Sequence, residues 1–364
     1  MLMRIIETLT KSEEFHTQGA RPYVRMTSEA IKKRDELNER IRSGEVKFEA
    51  VPCLCGKDEF DLIAEVDRFG IMQKMVICRN CGLVQSNPRM TKEATDWFYG
   101  SDFYGELYGR IEGKAAKEFI LSEAKNRPKT RYELVKKQLD YSKIQSVLEI
   151  GCAGGWSLYP YFLDGKKVVG YDYGPALVEA GKKLGMDLRV GKIEDDPKET
   201  GTYDLILLCH VYEHFPNPIE SIQKNLKYLS PGGHIYIEVP DMKELAVSGI
   251  INAHSYYYTE NTFIHYLHKA GLAPIAYQKD ARELSSQAGL FERIAQGDKT
   301  PSLQNEYERM KELIRNADKR LLRRKKMKKV MEKIGLLPLG RYMAHLARKS
   351  KRRSVQLESV NLNS

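Results

Sequence analysis

No apolar run in this 364-residue chain approaches the roughly 20 residues needed to span a bilayer; the longest, Leu205 to Cys209, has the length of a buried strand. Integral membrane topology is therefore excluded. No secretory leader is expected from the opening Met-Leu-Met-Arg-Ile-Ile-Glu-Thr-Leu-Thr-Lys, which acquires an acid and a base before an apolar core can form, and a cytoplasmic location is expected. Cysteine is sparse: six residues are too few for a disulfide scaffold, and four of them sit in two close pairs, which in a reducing compartment points to a metal. There is no internal repeat. What the chain does have is 42% hydrophobic and 30% charged residues, enough apolar material for true cores, over a length that suggests two or three folded units.

The net charge of +10 is unevenly placed. Lys319 to Arg353 holds 15 basic residues against the single acid Glu332, so this segment carries +14 and the rest of the chain −4. Basicity belongs to a tail, and nothing in it describes a catalytic surface.

Residues 1–50 read as a polar helical segment in which Ser28 caps Glu29 to Arg42 and Ser43-Gly44 ends the helix. A cysteine-bearing module follows over 51–90, then an aromatic connector over 91–129 that suggests a lid or a seam. From about 130 to 296 short β-rich runs alternate with helical stretches: Ser146–Ile150, Lys167–Tyr171, Asp187–Val190, Tyr203–Leu208, His234–Val239 and Pro274–Gln278, with a helix over Thr262–Ala270. Alternation of this kind predicts an α/β domain with a mostly parallel sheet covered by helices on both faces.

The first of these strands ends in Glu149-Ile150-Gly151-Cys152-Ala153-Gly154-Gly155, a turn whose glycines let the backbone approach a ligand closely. Gly170-Tyr171-Asp172 ends the second strand and puts Asp172 21 residues after Gly151, near the spacing at which an acid meets ribose hydroxyls. A dinucleotide pyrophosphate would want three close glycines, whereas here Ala153 replaces the central one and Glu149 would repel it. An acid at that strand end suits an ammonium or a sulfonium. With Gly191-Lys192-Ile193-Glu194 after the third strand, Tyr203-Asp204-Leu205-Ile206 opening the fourth and Pro231-Gly232-Gly233 before the fifth, residues 130–296 resemble the class I S-adenosylmethionine-dependent methyltransferases. The resemblance implies a Rossmann-like, mostly parallel seven-stranded sheet. It also implies a cofactor site made of Glu149, Gly151, Ala153, Gly155, Asp172, Tyr173, Ile193 and Glu194.

Cys209-His210-Val211-Tyr212-Glu213-His214-Phe215-Pro216 follows the fourth strand, at the carboxyl edge where open α/β sheets hold their ligands. A hydroxyl acceptor must lose a proton as it takes a methyl group, and His214 is the expected base, with Glu213 orienting it or binding acceptor hydroxyls. The plain alternative is a helix cap with a solvent-facing acid. His210 is expected to touch the cofactor or simply to end the strand. The resemblance extends to His254-Ser255-Tyr256-Tyr257-Tyr258, a stretch that in the family overlies the site mouth and here offers His254 and Tyr257 to an acceptor.

Cys53-Leu54-Cys55-Gly56 and Cys78-Arg79-Asn80-Cys81-Gly82 offer four thiolates to a tetrahedral zinc ion. The first pair is short, so His16 is a substitute ligand if Cys53 and Cys55 cannot both reach. With Asn87-Pro88-Arg89 and the tyrosines after it, this region resembles the N-terminal zinc-binding module of sugar C-methyltransferases and related enzymes of surface-glycan and deoxysugar pathways. That resemblance implies an aromatic residue of the connector, Tyr104 or Tyr99, near a sugar acceptor. The long third domain of the C-methyltransferases is not in this sequence, which turns the expectation from carbon towards a sugar hydroxyl, with nitrogen left open.

Over 297–364 the reading is a basic amphipathic helical tail. Met327, Val330, Met331 and Ile334 recur at helical spacing, as do Leu339, Tyr342, Met343 and Leu346 beyond Gly335 and Pro338. Such helices, basic opposite an apolar stripe, suit the anionic inner face of a membrane, where a lipid-linked glycan would be presented. Two other functions compete. Zinc module plus basic tail also suits a ribosomal or transfer RNA methyltransferase, although the acidic remainder argues against nucleic acid, and a SAM-binding partner protein without turnover would keep the same cofactor motifs.

Overall fold

The computed structural model describes residues 3–17, 22–101, 103–108, 113–126, 128–197, 199–242, 249–280, 286–294 and 299–334. The chain divides into two compact units, Met1–Ile314 and Arg315–Ser364. The first opens with β1 (Arg4–Thr8) and α1 (Ser28–Arg42), followed by β2 (Phe48–Glu49), β3 (Glu59–Val66), β4 (Met72–Cys78), β5 (Val84–Ser86) and β6 (Arg89–Met90). Helices α2 (Lys92–Gly100), α3 (Phe103–Tyr108), α4 (Gly113–Asn126) and α5 (Pro128–Gln138) lead to β7 (Ser146–Ile150) and α6 (Tyr159–Leu163). Then come β8 (Lys167–Asp172), α7 (Pro175–Lys182), β9 (Asp187–Val190), β10 (Tyr203–Cys209), α8 (Pro218–Asn225) and β11 (Leu229–Pro240). The last elements are β12 (Tyr256–Tyr257), α9 (Glu260–Lys269), β13 (Leu272–Asp280), β14 (Ser286–Arg293) and α10 (Glu306–Lys333).

A seven-stranded sheet runs in the order β13-β14-β11-β10-β7-β8-β9. Only β14 is antiparallel to its neighbours, so this is the Rossmann-like, mostly parallel sheet that the strand-helix alternation predicts. Its central strands are fully buried runs, Val147-Leu148 and Leu205 to Leu208, as expected where helices cover both faces. The topology places the carboxyl ends of β7, β8, β10 and β11 side by side, which is where the site forms.

A second sheet, β1-β3-β4-β5-β12, belongs to the cysteine module, but its last strand comes from Tyr256–Tyr257, far along the chain. One apolar core joins the two sheets, running from Cys53, Phe60 and Val76 to Ile206, Tyr212, Ile237 and Tyr258. The N-terminal expectation needs correction here: residues 1–50 are not helical throughout. Arg4–Thr8 is an edge strand parallel to β3, because Ile5, Ile6 and Thr8 are β-branched and five residues gain more from a sheet edge than from an isolated helical turn. The helix expected at Glu29–Arg42 starts one residue earlier, with Thr27 accepting the Ala30 N–H at 3.2 Å.

The expected tail over 297–364 also begins later than its sequence suggests. Tyr307, Met310 and Ile314 of α10 are buried, Tyr307 donates a hydrogen bond to Asp61, and Lys311 pairs with Glu7 at 2.9 Å. The first turns of α10 thus belong to the first unit. The second unit is described as the continuation of α10 to Lys333, while the stretch from Leu339 to Leu346 lies outside the described residues.

Candidate active site

At the end of β7 the chain turns through Gly151 at φ +72°, and a Cβ there would stand 2.3 Å from the Val211 side chain, so only glycine lets this turn meet the segment after β10. Ala153 adopts φ +47° and His210, leaving the neighbouring strand β10, adopts φ +57°. Each costs about 1 kcal/mol or more and persists because its surroundings hold it. The Ala153 N–H donates to Asp172 Oδ2 at 2.8 Å, and the Gly174 N–H to Asp172 Oδ1 at 2.7 Å. Asp172 therefore ties the glycine turn to the end of β8, and burial raises its pKa above the ordinary carboxyl value.

Glu149 is 2% exposed and its Oε2 has no hydrogen-bond partner among the described residues. Burial pushes its pKa up to about 8, against the pull of the Arg131 cation. A buried carboxyl with an unanswered oxygen fits a ligand that brings a positive charge or a donor. Of the other cofactor residues expected, Gly155 lies in the turn, Ile193 is buried with its carbonyl accepting the Tyr228 hydroxyl at 3.3 Å, and Glu194 is exposed. Tyr173 is 38% exposed, stacks on Tyr99 at 6.4 Å and lies under Lys192, whose Nζ bonds Asp96 of α2 at 3.1 Å.

His210 sits inside a chain of charges. Its Nδ1 is 3.3 Å from Glu213 and its Nε2 3.0 Å from Glu238, which in turn takes two bonds from Arg131 at 2.6 and 2.9 Å. Burial opposes charge on His210, but its hydrogen bonds to Glu213 and Glu238 outweigh burial and lift its pKa to about 9. Burial likewise opposes charge on Glu238, yet His210 and Arg131 hold it well below the usual carboxylate range. His210 thus sits at the end of β10, held between two carboxylates. Neither Arg131 nor Glu238 was expected; an acid inside the apolar run Ile235-Tyr236-Ile237-Glu238-Val239 was the available signal for one, and nothing local marks Arg131.

His214 has the opposite character. Burial lowers its pKa, so it is neutral near pH 7. Its Nδ1 is 2.9 Å from the Ala253 carbonyl oxygen and 2.7 Å from the Tyr99 hydroxyl, which itself donates to the same carbonyl at 3.0 Å. A carbonyl only accepts, so Nδ1 carries the hydrogen and the Nε2 lone pair is left for a proton from elsewhere. Glu213 is fully buried, and its Oε2 has no hydrogen-bond partner among the described residues. His254 packs edge-on against His214 at 4.8 Å, its Nε2 3.9 Å from Glu213.

The connector residue that reaches His214 is Tyr99. Tyr104 packs on it at 5.0 Å, and its hydroxyl is pushed up to about 12 by burial, helped by Asp172 and Glu213. The expectation for Tyr257 needs correction. It is 2% exposed in β12 and its hydroxyl accepts the Ile251 N–H at 2.7 Å, so it packs behind His254 and presents no face to an acceptor.

The four cysteines of the module converge. Cys53 and Cys81 sulfurs lie 3.5 Å apart, Cys55 and Cys78 3.6 Å apart, and all four lie within 4.8 Å of one another. A tetrahedral ion with ~2.3 Å bonds to sulfur separates its ligands by about 3.8 Å, so the set fits. His16 is not needed: it bonds Thr10 at 2.8 Å. The Tyr266 hydroxyl of α9 donates to Cys81 at 3.1 Å.

Residues 110–277 match the family described as a methyltransferase domain. A ubiquinone biosynthesis O-methyltransferase of Marinobacter nauticus is 33% identical over 99 residues, covering 25% of this chain and 42% of the relative. The enzyme of the same name from Xanthomonas oryzae pv. oryzae is 30% identical over 130 residues, covering 33% of this chain and 54% of the relative. The chain thus spans about half the length of the curated relatives it matches. Among solved structures, an S-adenosylmethionine dependent methyltransferase from Mesorhizobium loti aligns with 47% of this chain and 100% of its own at 12% identity and a TM-score of 0.40. A methyltransferase from Streptomyces caelestis aligns with 50% and 91% at 12% identity and a TM-score of 0.37.

Proposed function

On a chain whose residues 110–277 match a methyltransferase domain, we propose a SAM-dependent methyltransferase that acts on a hydroxyl of a sugar, carried on a nucleotide or a lipid-linked glycan. The observation that carries the reading is the pairing of two opposite sites on one sheet edge: the buried carboxyl of Glu149 beside the half-buried Asp172 that ties the glycine turn, and a neutral histidine, His214, whose Nδ1 is held by a backbone carbonyl. The cofactor's sulfonium supplies an electrophilic methyl carbon. Glu149 fits its charged end and Asp172 its ribose hydroxyls, with Tyr173 and Ile193 at the loops beside them. His214 Nε2 would take the proton that an acceptor hydroxyl gives up on receiving that methyl group. Glu213 and His254 lie beside that nitrogen's ring, and the half-buried aromatic wall of Tyr99 and Tyr104 limits access of water.

The sugar rests on the four-cysteine module and on Tyr99, which that module's connector brings to His214. The curated relatives favour a second acceptor, the phenolic hydroxyl of a quinone precursor. In the module we assign Cys53, Cys55, Cys78 and Cys81 to a structural zinc; metal analysis should find about one equivalent, and less than about half would remove the assignment. The basic helix after Ala317 is assigned to an anionic membrane surface, which keeps the protein cytoplasmic or peripheral on that face.

The test is transfer of labelled methyl groups from SAM to nucleotide sugars, lipid-linked glycans and catechols. Methylation of a sugar hydroxyl, reduced by about 10² to 10⁴ in His214→Ala, is expected. Catechol methylation alone would replace the sugar by the phenol, and failure to bind SAM or its demethylated product would end the reading.

A further inference from the structure

The segment 250–253 makes no regular element, yet it carries the Ala253 carbonyl that decides which nitrogen of His214 is protonated. Its polar groups are held mostly by the cysteine module and its connector. Arg68 N–H donates to the Ile250 carbonyl at 3.0 Å, and the Asn252 N–H donates to Asp67 Oδ2 at 2.9 Å. The Tyr108 hydroxyl donates to Asn252 Oδ1, and the Tyr99 hydroxyl donates to the Ala253 carbonyl at 3.0 Å. The Ile251 N–H is taken by Tyr257.

Asp67 is 1% exposed and its two oxygens serve different partners. Oδ1 accepts Phe69 and Ile71 N–H groups, both at 2.8 Å, and so closes the turn between β3 and β4 inside the module. Oδ2 reaches across 185 positions of sequence to Asn252. One side chain thus joins the module's own turn to the segment one residue before the carbonyl that faces His214. We propose that Asp67, with Tyr108, is a positioning pair that clamps segment 250–253 and so keeps His214 in the tautomer with hydrogen on Nδ1 and a free Nε2. On this basis the cysteine module does more than carry an aromatic residue to the mouth: it sets the protonation geometry of the base. The inference rests on the proposed methyl transfer only for its kinetic consequence, because the tautomer is readable without turnover.

Asp67→Asn separates the two duties. The amide can keep its oxygen towards Phe69 and Ile71 while its NH2 faces the Asn252 N–H, donor against donor, which breaks the clamp and spares the turn. The test labels histidine with ¹⁵N in the full-length protein and assigns the His214 nitrogens by their loss in His214→Gln. Expected in wild type is protonated Nδ1 and unprotonated Nε2. In Asp67→Asn, with zinc content and SAM affinity retained, the His214 signals should move towards a mixture of tautomers and kcat should fall by about 10²-fold at unchanged KM for SAM. Tyr108→Phe should shift both in the same direction by less, and it decides the question if Asp67→Asn does not fold. His214 signals and kcat equal to wild type in the folded variant would overturn the clamp. A protein with no methyl transfer but a tautomer that follows Asp67 would keep the clamp and discard the proposed reaction.

Discussion

Arg131 and Glu238 meet at two points, Nε to Oε2 at 2.6 Å and Nη2 to Oε1 at 2.9 Å, with both side chains almost wholly withdrawn from water. A pair this deep is weak evidence of net stabilisation, since desolvation cancels much of its attraction, but removing one partner strands the other. Arg131→Met should therefore cost about 3–5 kcal/mol in urea unfolding. Arg131→Met with Glu238→Gln should recover most of that loss. Equal stability of wild type and the single variant would show that water already reaches Glu238.

Glu238 also holds one end of His210, and this makes stability depend on pH. The folded protein keeps His210 protonated to about pH 9, whereas its ordinary value is 6.5. Between those two values the folded state binds more protons than the unfolded one, so the contribution of this group is complete below 6.5 and disappears as pH rises through about 9. The difference in urea midpoint between wild type and His210→Gln should shrink across that window. A difference that stays constant from pH 6 to 9.5 would mean that His210 is neutral in the folded state.

Glu149 titrates in the same region for another reason. With its pKa raised to about 8 by burial, it carries a proton at pH 7 until a cation arrives beside it. Uptake of SAM should then release about one proton at pH 7, which calorimetry in buffers of different ionisation enthalpy detects as a buffer-dependent heat. Glu149→Gln should bind SAM more weakly and lose that dependence. Identical heats in all buffers for wild type would place the cofactor's positive charge elsewhere.

Much of the sheet was legible because its strands advertise themselves. Ser146–Ile150 and Asp187–Val190 coincide with their expected limits, and the runs at Lys167, Tyr203 and His234 differ only at their ends. The strand Ser286–Arg293 was not legible. Its Gly289 is small because a Cβ there would stand 2.5 Å from the Phe291 ring, and Ala288-Gly289 looks like a break until β11 and β13 are placed on either side. At the site, single-residue chemistry singled out His214, Asp172 and Glu149 as candidates, since the last two sit at the ends of strands and His214 follows one. Partnerships were invisible: Tyr99 and His214 lie 115 positions apart and Asp67 and Asn252 185, distances over which no local pattern carries information.

The helix beyond Ala317 offers the last prediction. Met327, Val330 and Ile334 are 63%, 50% and 59% exposed at spacings of three and four, while Lys325, Lys326, Lys328, Lys329 and Lys333 crowd the same stretch. Among the described residues no helix is long and apolar enough to cross a membrane, so an apolar stripe between cations would lie in the plane of an anionic surface. Each basic residue near such a surface adds about 1 kcal/mol, and that share is screened by salt, whereas insertion of the stripe is not. The full chain should float with phosphatidylserine vesicles and a chain ending at Ala317 should stay below. Val330→Asp should lose flotation at moderate salt although it changes the net charge by only one. Flotation that follows charge alone, unchanged by Val330→Asp and abolished by salt, would leave the cations as a nonspecific patch and the stripe without a membrane to enter.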